Sequence, residues 1–340
     1  MAKIIRWGIL GTGFAAKTFA QTVVETKCNL ILGVASRSQS NAIKFAKSYN
    51  IKYAYSDYYQ LLENKDIDAI YIALPNILHE EWVVKAAKAK KHILCEKPFT
   101  INYYQAQKAL KAVKEAGVFC MEAFMYRCHP QTLKIIDLIS SDIIGKIHAI
   151  DTSFAWPSVD VVNANNSAEL GGGSILSMGC YCTSMIQLLV SMGVNNLHPI
   201  PMQISGDAYI GSRSSDEFSL ATFKFADDCY ARAQVSTLYG VCGDLKITGQ
   251  KGIIFVENPW LPSESNIIKI NLYNGEKNSH RVDSKGSLYS HEIRLVNELI
   301  NQNLSEADNR GMSWQSTLNN MQILDLWRKS IGLQYEFEKK

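Results

Sequence analysis

A glycine-rich hexapeptide directly after the first apolar run of the chain has the spacing of a phosphate-binding turn. It reads Gly11-Thr12-Gly13-Phe14-Ala15-Ala16, which is the pattern G-x-G-x-x-A. The first glycine permits a tight turn, the second lets the backbone approach a pyrophosphate, and the alanine lets the next helix pack closely on the strand. The anion would lie on the free N–H groups of that helix. The spacing predicts dinucleotide binding by residues 11–15, with a turn that only packs as the alternative.

Three polar residues at the end of the second apolar run predict which dinucleotide binds. Ser36, Arg37 and Ser38 occupy the place where a site specific for NAD carries Asp or Glu. A carboxylate there would repel a 2′-phosphate, whereas a guanidinium flanked by two hydroxyls would bind it through charge-assisted hydrogen bonds. We therefore expect NADP rather than NAD, with a solvated Arg37 as the alternative.

A lysine after the fourth predicted strand is the first candidate for proton transfer. It lies in the segment Cys95-Glu96-Lys97-Pro98, and open α/β sheets bind ligands at the carboxyl ends of their strands. A partly desolvated lysine beside a positively charged nicotinamide is suited to proton transfer, although spacing alone favours a surface lysine. The preceding strand ends in Leu74-Pro75-Asn76, with His79 one helical turn further on, and this end predicts an edge for the nicotinamide ring.

Short apolar strands alternate with helices through the first third of the chain. Strands are predicted at 4–10, 30–35, 69–74, 92–94 and 118–121, and helices at 14–26, 40–49, 78–90 and 103–116. This alternation predicts right-handed βαβ units and a parallel sheet that is covered on both faces. Such a Rossmann-type sheet would place the candidate residues at one edge.

The pattern changes after about Phe124. Helix 131–140, the alternating segment 147–154, the polar loop 157–169 and a long helix 174–192 precede several strand-like runs between 202 and 274, and helices 289–302 and 313–331 close the chain. These runs predict a mainly antiparallel sheet. We therefore expect an α/β dinucleotide-binding domain at 1–123 and an α+β substrate domain at 124–340, with the last helices able to pack back on the first domain.

Composition excludes several classes of protein. Of the 340 residues, 35 are Lys or Arg and 32 are Asp or Glu, a balance that predicts neither a nucleic-acid nor a membrane partner. No apolar run approaches the roughly 18 residues of a spanning helix, and the N-terminal run is too short for a signal peptide. The eight cysteines form no Cys-x-x-Cys pair, which favours reduced thiols, no metal and a cytoplasmic location.

Together these motifs resemble the Gfo/Idh/MocA oxidoreductase family, in particular its NADP-dependent dihydrodiol dehydrogenase, xylose dehydrogenase and glucose–fructose oxidoreductase branch. The resemblance is carried by the glycine turn, Glu96-Lys97-Pro98, Arg127-x-His129-Pro130, Gly171-Gly172-Gly173 and Gly249-Gln250-Lys251-Gly252. It implies that Lys97 is the catalytic lysine, that Glu96 lies near the cofactor, and that a cis peptide precedes Pro98. It also implies an open-faced second sheet that supplies the substrate pocket and the interface of a homo-oligomer, a dimer or a tetramer.

One position departs from the family pattern. Registering the helix on Gly179 places Ser177 where an Asp is usual and keeps Tyr181 at the second catalytic position. Four residues apart on a helix, both side chains would face the same way. Serine can hydrogen-bond a substrate hydroxyl but supplies no negative charge, so Tyr181 and Lys97 would handle the proton.

The function predicted is therefore hydride transfer between NADP and a CH–OH group of a sugar-like alcohol or ketone. Two alternatives stay open: a sugar-nucleotide ketoreductase or an enzyme with a tightly held cofactor, and a nucleotide-binding regulator that has lost catalysis through Ser177. Arg127 and His129 are expected either to reach cofactor or substrate or to cap and pack a helix. Trp156 and Asn163 lie in the loop before the glycines, where an aromatic ring is able to stack on a sugar.

Overall fold

The computed structural model describes residues 3–26, 29–157, 166–193 and 199–339, so Cys28 and Asn163 lie outside the described residues. The strands are β1 (Ile5–Leu10), β2 (Asn29–Ala35), β3 (Tyr53–Tyr55), β4 (Ala69–Ile72), β5 (His92–Glu96), β6 (Cys120–Ala123), β7 (Ile147–Ala155), β8 (Gln203–Ile210), β9 (Asp216–Lys224), β10 (Tyr230–Ser236), β11 (Leu245–Gly249), β12 (Gly252–Val256), β13 (Ser265–Leu272) and β14 (Lys277–Asp283). The α-helices are α1 (Phe14–Glu25), α2 (Gln39–Tyr49), α3 (Tyr58–Glu63), α4 (His79–Lys88), α5 (Tyr103–Ala116), α6 (Pro130–Ser140), α7 (Cys180–Gly193), α8 (Leu288–Asn301) and α9 (Trp314–Ser330).

The chain divides into two compact units that each combine separate stretches. Unit 1 comprises residues 1–100, 104–128 and 286–317, and unit 2 comprises residues 101–103, 129–285 and 318–340. A C-terminal stretch that contains α8 thus belongs with the first unit. The expected boundary between residues 123 and 124 stays our prediction for where the dinucleotide-binding half ends.

The sheet of unit 1 is parallel, with strand order β3-β2-β1-β4-β5-β6. Its central strands are buried on both faces, as their near-continuous apolar sequences require. Packing between α1 and the sheet is aromatic: Phe19 stacks on Tyr71 with ring centroids 4.0 Å apart and meets Trp7 edge-on at 5.2 Å. The order reverses between β1 and β4, and ligands of such sheets bind at this point, beyond the carboxyl ends of the strands.

Unit 2 is built on a second sheet with strand order β14-β13-β12-β11-β7-β10-β9-β8. Its pairs are antiparallel apart from the parallel pair of β7 and β10. Helices α6 and α7 pack on one face, while β9 and β13 alternate buried and exposed residues. The predicted fold class, a Rossmann-type parallel sheet followed by a mainly antiparallel sheet, is therefore confirmed.

One helical stretch of the described chain, 175–192, has the length and hydropathy of a membrane span. Its mean hydropathy is 1.5, and 89% of it is buried inside the protein. An apolar helix buried to this degree is typical of the core of a soluble protein.

Candidate active site

The glycine turn joins β1 to α1 and touches both strands beside it. Gly11 has φ +103°, its N–H donates to Ala35 O at 2.9 Å, and a Cβ at this position would lie 2.3 Å from Ala73 O. Only glycine fits such a backbone in such a space. The turn therefore brings the ends of β2 and β4 into contact with the loop between β1 and α1.

The helix N-terminus at this turn has room for an anion. No side chain caps α1 at Gly13, and its first turn carries no acidic residue. A Cβ on Gly13 would meet no atom of the described chain within 4 Å, whereas Ala16 is fully buried. Thr12 and Ala15 are half-buried and Phe14 is 75% exposed. The residues present thus fit the phosphates of a dinucleotide.

Residues 36–38 form a turn with one exposed guanidinium. Ser36 is buried and its Oγ accepts the N–H of Ser38, while Ser38 Oγ accepts the N–H of Asn41 and caps α2. Arg37 is exposed beside Tyr58. Burial raises the pKa of the Tyr58 hydroxyl, while the charge of Arg37 and its hydrogen bonds lower it. The contact of these residues with a 2′-phosphate stays a prediction.

Lys97 follows the last paired residue of β5 and is half-buried. The preceding residue, Glu96, accepts a hydrogen bond from the Tyr71 hydroxyl. Burial raises the pKa of Glu96, whereas the charge of Lys97 and the hydrogen bond from Tyr71 lower it. The peptide bond between Lys97 and Pro98 is cis, as the resemblance implied.

His79 connects the ends of β4 and β5. Its side chain is fully buried, with Nδ1 2.8 Å from Pro98 O and Nε2 2.8 Å from Leu74 O. Burial lowers the pKa of His79, while the two carbonyl groups oppose that change. Leu74 and Asn76 are buried and Pro75 is half-buried. The expected cofactor contact of these residues stays a prediction. The ring nitrogens of His79 itself both face backbone carbonyl oxygens.

Glu122 in β6 is a residue of this edge that the sequence did not single out. It is 1% exposed, and its carboxyl group accepts the N–H of Phe99 at 2.8 Å and the hydroxyl of Thr317 at 2.9 Å. Burial raises the pKa of Glu122 to about 7, against these hydrogen bonds and the charges of Lys97 and Arg127, which lower it. A glutamate directly after the predicted strand 118–121 was the available signal.

A second buried carboxyl group, Glu292 in α8, was also missed. Neither of its oxygens accepts a hydrogen bond from the part of the chain that the structure describes. Burial and the charge of Glu96 raise the pKa of Glu292, and burial likewise raises that of Tyr289. The neutral acid is therefore favoured.

Within the described ranges, no cluster of three or more His, Cys, Asp or Glu side chains is placed to hold a metal.

Arg127 and His129 lie in different units. Arg127, 2% exposed in unit 1, donates from Nη2 to Gly311 O at 3.3 Å. His129 is the N-cap of α6 in unit 2: its Nδ1 accepts the N–H of Gln131 at 3.1 Å, and its Nε2 lies 3.0 Å from Ser284 Oγ. The capping alternative is thus what the geometry gives for His129. A cofactor contact of Arg127 stays a prediction.

The glycine run of unit 2 is held by two buried side chains. Gly173 has φ +133°, and a Cβ there would lie 2.1 Å from Asp216 Oδ1. Asp216 Oδ2 accepts the hydroxyl of Ser174 and the N–H of Ile175, both at 2.7 Å. The Tyr335 hydroxyl donates to the carbonyl oxygen of the preceding glycine at 2.6 Å. A distant aspartate therefore starts the helix that carries the remaining catalytic candidates.

That helix begins with a π-helical turn, Ile175–Gly179, a feature that is frequent at functional sites. Ser177 lies inside this turn and is 1% exposed, and Tyr181 lies in α7 at 5%. The Tyr181 ring meets Phe154 edge-on at 5.1 Å. The expectation that both side chains face one way assumed a regular α-helix and stays a prediction. Trp156 is 48% exposed, as a ring available for stacking must be.

Comparison with known proteins identifies both halves of the chain. A family model described as an oxidoreductase family with an NAD-binding Rossmann fold matches residues 5–124, and the GFO/IDH/MocA C-terminal domain matches residues 132–255. The chain belongs to the Gfo/Idh/MocA oxidoreductase family. The resemblance inferred from the motifs is thereby confirmed, and with it membership of a family of NAD(P)-dependent oxidoreductases.

Three known proteins are informative comparisons. The chain is 26% identical to the trans-1,2-dihydrobenzene-1,2-diol dehydrogenase of Xenopus laevis, over 97% of this chain and 99% of the relative. It is 35% identical to D-xylose 1-dehydrogenase (NADP(+)) 2 of Haloferax volcanii, over 54% and 57% of the two chains. A 3-ketoreductase from Actinomadura kijaniata, solved with NADP and TDP-benzene, superposes with a TM-score of 0.86 at 22% identity over 96% of this chain and 98% of that chain. The last likeness concerns the fold alone.

Proposed function

We propose that this protein catalyses NADP-dependent hydride transfer at a CH–OH group of an aldose, a cyclic polyol or a dihydrodiol. The observation that carries the proposal is the carboxyl edge of the unit 1 sheet, where an uncapped helix N-terminus at Gly13 and the half-buried Lys97 occur together. A phosphate site and a proton-transfer group at one sheet edge are what such chemistry requires. The names of the dihydrodiol and xylose dehydrogenases support the substrate class.

NADP is the proposed cofactor because the second strand ends in an exposed arginine rather than an acid. Residues 11–15 and 36–38 would hold its phosphates, and residues 74–76 with Glu96 and Arg127 its nicotinamide half. When bound, NADP gives or takes a hydride at its nicotinamide ring.

Lys97 and Tyr181 are the proposed proton-transfer residues. Oxidation of a CH–OH group removes a hydride from carbon and a proton from oxygen, and these two side chains accept that proton or return it in the reverse direction. The hydroxyl of Ser177 hydrogen-bonds a substrate hydroxyl without adding charge. Trp156 is the proposed aromatic contact for the sugar ring.

The test is an NADP-coupled screen against aldoses, inositols, dihydrodiols and their keto forms, followed by Lys97→Met on the best substrate. We expect this variant to lose turnover while its Kd for NADP, measured by fluorescence titration, stays within about threefold of wild type, because neutralising Lys97 removes the proton path and leaves the phosphate turn intact. Lys111→Met, an exposed lysine of α5, is the matched control. Wild-type kcat in Lys97→Met would remove this residue from the mechanism.

A second candidate function is a nucleotide-binding regulator without catalysis, and Ser177 is the observation that favours it. A neutral, buried hydroxyl at a position where the family usually carries an acid weakens the proton path. NADP binding without turnover across the whole screen would support this candidate.

We further infer a cytoplasmic homo-oligomer, dimeric or tetrameric, that forms through the exposed face of the unit 2 sheet. Large apolar side chains on this sheet are well exposed: Tyr209 at 57%, Ile267 at 53%, Tyr230 at 47% and Leu220 at 40%. Apolar groups collected on one sheet face support an interface between copies of the chain.

A further inference from the structure

The backbone that follows Lys97 leaves the sheet and must find partners other than a neighbouring strand. Pairing of β5 with β4 ends at Cys95, and pairing with β6 ends at Glu96. The peptide unit that joins Pro98 to Phe99 lies one residue beyond Lys97, and both of its residues are buried. Buried backbone groups are almost always hydrogen-bonded, and here two side chains provide the bonds.

One side chain holds the oxygen of this peptide unit and the other holds its nitrogen. His79 Nδ1 lies 2.8 Å from Pro98 O, and Glu122 accepts the N–H of Phe99 at 2.8 Å. His79 is 0% exposed and Glu122 is 1% exposed. Because the peptide is planar, fixing its oxygen and its nitrogen fixes the direction of the backbone one residue beyond Lys97.

The far side of the His79 ring meets a second carbonyl oxygen. Its Nε2 lies 2.8 Å from Leu74 O, at the end of the neighbouring strand β4. A neutral imidazole carries one N–H and donates to one carbonyl, whereas an imidazolium donates to both. Burial lowers the pKa of His79, and the positive charge of Lys97 acts in the same direction. The ring thus lies between the end of β4 and the turn that carries Lys97.

We propose that His79 is a positioning residue: it donates from Nδ1 to the carbonyl group of Pro98 and so sets the direction in which Lys97 leaves the sheet. The ring is enclosed, so it acts through the backbone rather than on a ligand. This inference rests on the proposed function, in which Lys97 exchanges the substrate proton.

Three substitutions separate the two bonds of the ring. The amide nitrogen of Asn lies where Nδ1 lies in His, and that of Gln lies where Nε2 lies, so His79→Asn retains the donor to Pro98 and His79→Gln retains the donor to Leu74. His79→Ala removes both. His92→Ala is the matched control, because His92, in the strand β5 that precedes Lys97, also holds a backbone group, the N–H of Phe119, at 3.1 Å.

The position of Lys97 is measured without a substrate. Lysine amines are reductively dimethylated with ¹³C-formaldehyde and a borane reductant, and the NMR resonance that is absent from Lys97→Met belongs to Lys97. We expect this resonance to stay at its wild-type position in His79→Asn and His92→Ala, and to shift in His79→Gln and His79→Ala. With the substrate found in the screen, kcat should fall on the order of 100-fold in the two shifted variants while Kd for NADP stays within about threefold, because misplacement of a catalytic group lowers kcat more than cofactor binding.

Two results would overturn the inference: an unshifted Lys97 resonance in His79→Ala, or a wild-type position in His79→Gln together with a shift in His79→Asn. The second comparison holds even if the alanine variant does not fold. Wild-type kcat in Lys97→Met is a separate failure, because it refutes the proposed function while the resonance still reports whether His79 holds the turn.

Discussion

At the scale of single residues, we predict that the choice of dinucleotide depends on Arg37. It is exposed at the carboxyl end of β2, where a 2′-phosphate would lie next to the adenosine ribose. A hydrogen bond to a charged group contributes about 1.5–3 kcal/mol, which corresponds to roughly 10- to 100-fold in affinity. We therefore expect Arg37→Ala to lower kcat/KM for NADP by about that factor and to leave kcat/KM for NAD within a few-fold.

Lys47→Ala is the matched control for this prediction, because it removes an exposed cation from the last turn of α2. It should leave the ratio of NADP to NAD activity unchanged. An equal loss of both activities in Arg37→Ala would show that the residue supports the turn rather than a 2′-phosphate.

A substitution at Ser177 tests whether the neutral group at this position is an adaptation of the pocket or the loss of a catalytic acid. Its side chain is 1% exposed, so an added carboxyl group would be largely desolvated. Burial favours its neutral form, and where it ionises its charge acts strongly on neighbours at short range. If the pocket has lost an acid, we expect Ser177→Asp to raise kcat by roughly tenfold or more, because a positioned acid or base contributes at least that much to proton transfer. If the pocket is built around serine, the same variant lowers kcat. Ser177→Asn introduces a side chain with the shape of aspartate and no charge, so it separates the effect of the larger side chain from the effect of the carboxyl group.

The candidate site was predictable where a motif fixed a residue near its strand end. Gly11 and Lys97 follow strands directly, so their place at the sheet edge follows from the strand pattern. Glu122 and Asp216 were missed because each acts on a segment far along the chain, and no local spacing links them to it. The cofactor contact predicted for His79 stays a prediction, and its two carbonyl partners depend on tertiary contacts that no local pattern shows.

At the scale of elements, the start of the π-helical turn Ile175–Gly179, which leads into α7, depends on an aspartate from β9. Asp216 is fully buried, and burial raises its pKa to about 6 against the hydrogen bonds from Ser174 and Ile175. Its Oδ1 accepts no hydrogen bond within the described chain. Glycine at 173 is required because a side chain there would collide with this oxygen.

The raised pKa of Asp216 makes the stability of the protein pH-dependent. Between about pH 4 and pH 6 the folded state keeps a proton that the unfolded state, with a pKa of about 3.9, has lost, so the free energy of unfolding falls as pH rises. A difference of about two units corresponds to about 3 kcal/mol. Asp216→Asn does not titrate, so the stability of wild type relative to this variant should fall by about that amount between pH 4 and pH 7 in urea unfolding.

Asp283→Asn is the control for this pH dependence. The hydrogen bond from Arg281 lowers the pKa of Asp283, so the stability of wild type relative to the control should not fall as pH rises. A parallel pH profile for wild type and Asp216→Asn would contradict the assignment.

The elements predicted from the sequence were those with a buried face. Strands β1, β2 and β4 and helix α5 have strong apolar periodicity, and their positions were predicted to within a few residues. The missed elements are β3, which has three residues, the single-turn helix α3 and the edge strand β14, whose residues are mostly exposed and polar. Such segments are held by pairing with a neighbour rather than by their own pattern.

At the scale of the whole molecule, one face of the unit 2 sheet is not covered by the helices of the described residues, and packing within these residues does not explain its exposed apolar side chains. Helices cover one face, and Leu220 and Tyr209 are among the large apolar side chains exposed on this sheet. In a symmetric dimer the same surface of both copies meets, so each side chain at the centre occurs twice in the interface, once from each copy. An interface of that kind is depleted of charge at its core.

We therefore expect Leu220→Lys to convert the oligomer to monomers. Two cations brought together across a symmetric interface cost on the order of several kcal/mol, of which the carboxylate of Asp207, the cross-strand partner of Leu220, offsets a part. Light scattering at micromolar concentration measures the mass directly. Val24→Lys, at a residue of α1 that is 70% exposed, makes the same change in unit 1 and should leave the mass unaltered. A monomeric wild type would refute the proposed homo-oligomer, and an unchanged mass in Leu220→Lys would place the interface elsewhere. Dissociation with retained NADP binding would show that assembly depends on this face and cofactor binding does not.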